Sequence, residues 1–194
     1  MKKADTKKLV GVALFTAIVV VLQLVGSFIK LGTFSISLVL VPIVIGAALY
    51  GVGAGTWLGF VFGFTVLVSG DAAAFLAVNP IGAVVVCLAK GMLAGCCAGL
   101  VYKAIEKKSP TVAVAVSAVV CPVVNTGVFL LGCIVFFMET IIGWADIFGF
   151  GSNVAAYMIV GLVGVNFLLE LLVNVILSPA VVRLIHIGKK SKIS

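Results

Sequence analysis

The chain has 194 residues, of which 63% are hydrophobic and only 10% charged, and its mean hydropathy is +1.39. Soluble domains carry roughly 45–50% apolar and about 25% charged residues, so too little polar side chain is present to cover a water-facing surface. The composition points to a polytopic, all-α membrane protein. The formal net charge of +7 comes from 13 Lys and Arg against six acids. These bases lie in short clusters between apolar runs and form no basic face interleaved with aromatics, so no nucleic-acid partner is expected.

Met1 to Lys8 is basic and precedes an apolar run from Leu9 to Ile29. A cleaved signal peptide has a shorter core and a small-x-small cleavage site, whereas this run continues into Lys30-Leu-Gly-Thr-Phe34, so it reads as a retained first helix. A hydrocarbon core of about 30 Å takes about 20 helical residues to cross. Punctuation by Gly, Pro and charge then gives six segments in a single integral membrane domain, 1–194: about 9–29, 36–50, 53–69, 81–103, 111–140 and 153–183. Between the second and third, Tyr50-Gly-Val-Gly-Ala-Gly55 reads as a turn, because three glycines in five residues disfavour continuous helix.

Glycine recurs every fourth residue at Gly51, Gly55, Gly59 and Gly63, and again at Gly91, Gly95 and Gly99. Such stripes let helix backbones approach closely in lipid, and bundle packing is their first explanation. The five cysteines, Cys87, Cys96, Cys97, Cys121 and Cys133, lie inside apolar stretches without metal-ligand spacing to a histidine, so they read as buried free thiols. No metal or cofactor is expected.

With the N-terminus inside, six spans place Lys2, Lys3, Lys7, Lys8, Lys103, Lys107, Lys108, Arg183, Lys189, Lys190 and Lys192 in the cytoplasm, eleven of thirteen bases. Only Lys30 falls outside, and Lys90 lies within the membrane. The positive-inside rule thus predicts a multi-pass protein of the cell membrane with both termini cytoplasmic.

Polar side chains in hydrocarbon are costly and mark function, so their depths can be compared from each helix's cytoplasmic anchor at 1.5 Å per residue. Gln23, Lys90, Asn125, Asn166 and Glu170 come to roughly 20–26 Å above the inner rim. Five polar groups from four helices in one layer describe a substrate pocket open to the outside. The alternative is a structural Lys90–Glu170 pair with amides bonded across helices. Over the outer side lie residues 70–80, with Asp71 and Asn79, and 143–153, with Trp144, Asp146 and Asn153. Their small, glycine-rich and aromatic composition suits lids over a ligand, or plain connectors.

Enzyme chemistry is not expected. His186 is the lone histidine, and there is no Gly-x-Ser-x-Gly, no acid pair at catalytic spacing and no Walker sequence. Any ATP hydrolysis would belong to partner subunits.

Six segments in about 190 residues, basic inner termini, Ala13-Leu-Phe-Thr-Ala17 in the first helix and the Pro42…Tyr50-Gly-Val-Gly-Ala-Gly55 hairpin together resemble the substrate-binding S components of energy-coupling factor (ECF) vitamin transporters, over essentially the whole chain. The resemblance implies a six-helix bundle that captures a water-soluble vitamin or related micronutrient from outside. It also implies docking, through the face bearing Ala13 and Ala17, on a shared module of one transmembrane coupling subunit and two ATPases, with toppling in the membrane to release cargo inward. Riboflavin-binding members are similar in having asparagines in the fifth and early sixth helices, as at Asn125 and Asn166. They carry Lys three residues after the second, where this chain has Leu169 followed by Glu170. Riboflavin, pantothenate, folate or another vitamin therefore stay open. Two other classes compete: an autonomous small secondary transporter or channel using Lys90 and Glu170 as a proton or ion relay, and a structural assembly subunit, which leaves the polar layer unexplained. No internal repeat of the kind found in many secondary transporters is present.

Overall fold

The computed structural model describes residues 3–28, 30–31, 34–35 and 38–193. Helix α1 (Lys3–Ser27) is followed by a two-rung antiparallel ladder of β1 (Lys30–Leu31) and β2 (Phe34–Ser35), with Lys30 opposite Ser35 and Leu31 opposite Phe34. Helices α2 (Leu40–Tyr50), α3 (Val52–Val68), α4 (Ala73–Val78), α5 (Pro80–Ile105), α6 (Pro110–Phe136) and α7 (Met138–Ile147) follow. The chain ends in α8 (Val154–Ala156), a π-helical turn over Tyr157–Leu162, and α9 (Gly164–Ile193). Among the described residues, Thr6–Ser27, Pro80–Ile105, Pro110–Phe136 and Gly164–Ile185 are long and apolar enough to cross a membrane, while α2 and α3 are shorter apolar helices.

Several boundaries differ from the sequence reading. The second segment starts at Leu40, and residues 36 and 37 lie outside the described residues. The break after Tyr50 needs one glycine: Gly51 has φ +94, a left-handed backbone that L side chains rarely adopt, while Gly53 and Gly55 are helical. The fifth segment ends at Phe136, where Phe137 (φ −135) leaves the helix and buries its ring against Phe75 at 5.0 Å. The sixth is interrupted by the π turn, and Gly161 and Gly164, poor helix formers, flank the irregular Val163 (φ −120). Starts are better marked. Asn79 and Ser109 each precede a proline at the first helical position, and their side chains accept from Gly82 N (2.9 Å) and Val112 N (3.4 Å).

The tightest seam joins α3 to α5. An added Cβ at Gly55 would fall against the Gly95 carbonyl oxygen, one at Gly59 on that of Gly91, and one at Gly63 on that of Cys87. The descending partner numbers make the helices antiparallel, in backbone contact along the two stripes. Around this seam Val19, Leu40, Ile43, Val44, Leu58 and Phe62 form the central core. Ile45, Tyr102, Val114, Val181 and Ile185 close the end that carries Lys103 and Arg183. At the opposite end Phe75, Val86, Phe137, Ile141, Tyr157 and Leu162 form a third cluster. Large apolar side chains elsewhere face outward, such as Ile81 (77% exposed) and Val68 (69%), as a lipid-facing surface requires.

Candidate functional site

One cavity lies in the half of the bundle away from the basic end. The space between its lining atoms, including the open mouth, is about 660 Å³. Helix α5 contributes Lys90 and Cys87, α6 contributes Asn125, Thr126 and Phe129, and α9 contributes Asn166 and Glu170. Gln23 comes from α1, Phe62 and Val66 from α3, Asp71 and Ala72 from the turn after α3, and Phe75 from α4. All five residues that the depth ruler placed in one layer thus line one cavity.

Glu170 is 2% exposed. Asn166, one turn earlier on the same helix, donates from Nδ2 to Glu170 Oε1 at 3.3 Å, and the Asn125 amide interacts with the carboxylate from α6. Glu170 Oε2 and Asn125 Oδ1 are buried with no hydrogen-bond partner among the described residues. Buried polar atoms are nearly always paired, so two orphans in one cavity wall call for an explanation, and a bound molecule supplies one.

Lys90 forms no ion pair with Glu170 among the described residues, although its charge acts on that carboxylate. Its ammonium stands over two rings, 5.5 Å from the Phe62 centroid and 5.3 Å from that of Phe129. Ring faces attract a cation without consuming its N–H donors as a carboxylate would. The direct structural pair that the sequence left open is therefore absent, and the two charges flank the cavity. Gln23, 2% exposed, donates from Nε2 to Asp71 Oδ2 at 2.7 Å, and Ser69 Oγ lies 3.3 Å from the same oxygen. That bond ties α1 to the turn over the cavity mouth.

The remaining predicted residues separate by position. Asp71 lines the cavity, and Trp144 supports it from behind, edge-on to Phe75 at 5.4 Å. Asn79 caps α5, and Asn153 caps α8 by accepting from Ala156 N at 3.1 Å. Asp146 is exposed at the end of α7, its carbonyl accepting from Gly149 N. The two expected loops are partly helical, because Phe75 in one and Ile141 and Ala145 beside or within the other anchor α4 and α7 in the core. Ala13 and Ala17 are exposed on α1, away from the cavity. Sequence reasoning missed Asn174, 2% exposed, whose Nδ2 donates to the Glu170 carbonyl at 2.8 Å. The four-residue spacing of Asn166, Glu170 and Asn174 on one helix face was the available signal. It also missed the phenyl wall of Phe62, Phe75 and Phe129, which in an apolar chain carries no distinguishing mark.

Among the described residues no group of His, Cys, Asp and Glu is placed to hold a metal ion. The family model of the ECF transporter substrate-specific component matches residues 7–182. No curated protein and no solved structure gives a significant match. The chain belongs to the family of ECF transporter substrate-specific components, and is thus a multi-pass membrane protein that takes a small-molecule substrate and associates with an ECF module.

Proposed function

We propose that the protein binds a water-soluble vitamin or related micronutrient from the extracellular side, in the cavity between α1, α3, α5, α6 and α9, and delivers it by docking on an ATP-driven module of one coupling subunit and two ATPases. The observation that carries this reading is the cavity itself. Among the described residues Glu170 and Asn125 leave buried atoms unpaired at its wall, Lys90 stands over two rings with no ion pair, and apolar side chains enclose the rest. Lys90 meets an accepting or anionic group of the substrate, while Asn125, Asn166, Glu170 and Gln23 meet its heteroatoms. The cavity lies toward the ends of α1 and α3 remote from Lys7, Lys8 and Lys103, so cytoplasmic basic ends and six spans put its mouth outside. Residues 70–80 and 143–153 act as the lids. The protein needs no catalytic residue, since the partners hydrolyse ATP.

Docking uses the α1 face bearing Ala13 and Ala17, four residues apart and both exposed. In lipid there is little hydrophobic drive between helices, so association depends on the close backbone approach that small residues permit. Uptake in a host lacking the ECF module should vanish, and Ala13→Trp or Ala17→Trp should abolish uptake and complex formation while leaving substrate affinity near normal. Uptake that persists without the module would instead establish an autonomous transporter. Loss of affinity together with docking would mean the alanines pack the protein's own bundle, and full uptake with both substitutions would move the interface elsewhere.

A further inference from the structure

The unpaired groups around the cavity are divided by kind. Glu170 Oε1 is occupied by Asn166, its backbone carbonyl by Asn174, and the Asn125 amide is engaged with the carboxylate. The two buried atoms left over, Glu170 Oε2 and Asn125 Oδ1, both accept, and they belong to residues only 2% and 5% exposed. One of the two N–H groups of Gln23 Nε2 is donated to Asp71. Lys90, which lines the same cavity, has only donors, held over the faces of Phe62 and Phe129. The cavity therefore asks for N–H groups at Glu170 and Asn125 and for a carbonyl or carboxylate at Lys90, with phenyl rings in its lining.

Building on the reading of this cavity as the substrate site, we propose that it selects a flat nitrogen heterocycle with an amino group beside a ring N–H and an oxygen acceptor on the same ring. The amino edge donates to Glu170 Oε2 and Asn125 Oδ1, the acceptor receives from Lys90, and the ring lies against Phe62, Phe75 and Phe129. Replacing the amino group by a carbonyl turns oxygen lone pairs toward Glu170 and leaves a buried acceptor unpaired, so the wall discriminates by repulsion as well as attraction. A simple aromatic carboxylate satisfies Lys90 alone and brings a second anion near Glu170.

The test uses the detergent-purified full chain and matched probes that differ only in that group: 2-amino-4-oxopteridine against 2,4-dioxopteridine, and 2-amino-4-oxopyrimidine against 2,4-dioxopyrimidine, with benzoate as the anionic control. Affinity is read by calorimetry and by ligand-induced shift of the melting temperature. The amino member of each pair should bind about tenfold tighter or better, the scale of one buried hydrogen bond to a charged group. Glu170→Gln, which puts an amide in place of the carboxylate, should bring that ratio close to one in protein that melts normally. If that variant does not fold, Asn125→Leu removes the other acceptor and should narrow the same ratio. Equal or tighter binding of the dioxo members, binding of benzoate alone, or no binding by any probe at millimolar concentration would each overturn the proposed ligand class. Assembly with the ECF module is measured in parallel, and its failure would count against the transporter reading instead.

Discussion

Helix α5 belongs to two regions of opposite character. Along one face Gly91 and Gly95 lie against α3 so closely that a Cβ would strike the facing backbone. Next to Gly91, Lys90 opens onto a cavity whose lining also holds two buried acceptors without a partner among the described residues. The seam gains stability from contact and tolerates no change in volume. The cavity gives up some of that stability to keep charges and acceptors available. On the proposed reading, packing and binding are separated by a fraction of a helical turn, and a substitution's effect depends on which side of α5 it meets.

The sharpest way to break this comparison is to add volume to the seam. Gly59→Leu drives a side chain into the Gly91 carbonyl, and overpacking of that kind costs about 1–3 kcal/mol or more where backbone cannot yield. The variant should show a much lower melting temperature or fail to accumulate. Gly53, in the first turn of the same helix as Gly59, is exposed, with open space where a Cβ would go, and Gly53→Ala should leave the melting temperature unchanged or slightly raised. Equal effects of the two substitutions would show that the seam is not tightly packed.

A smaller effect is expected at the cavity mouth. If the segments over it order when substrate binds, a spin label at position 71 or 146 should lose mobility on addition of substrate. Because Asp71 holds Gln23, the label at 146 is the less disturbing of the two. Unchanged mobility at both positions would make these segments plain connectors and confine the binding response to the cavity walls.

The seam was readable in the sequence because small residues at a strict spacing of four have few uses in a membrane helix other than close approach. The polar layer was readable for a related reason: each of Gln23, Lys90, Asn125, Asn166 and Glu170 stands out in its apolar run, and helix rise converts position into height. Details that depend on tertiary geometry were not readable. The ruler ignores rotation about the helix axis, so it could not show Lys90 aimed at two rings instead of at Glu170. Uniformly apolar sequence conceals helix ends, so neither the break at Phe137 nor the π turn over Tyr157–Leu162 was visible. Asn79 and Asn153 looked like loop polarity, yet the Asn79-Pro80 pair was a legible helix start.

The central claim is that the polar cavity is the substrate site, and the most direct measurement is equilibrium binding of a panel of water-soluble vitamins to the purified protein, followed by the same titration on Lys90→Ala. One member of the panel should bind saturably to the parent chain. Loss of a buried, charge-assisted partner typically costs about 1.5–3 kcal/mol, so Lys90→Ala should weaken that binding roughly ten- to a hundredfold without changing the melting profile. A Lys90→Ala protein that folds normally and binds the same vitamin with unchanged affinity would place the substrate somewhere other than this cavity.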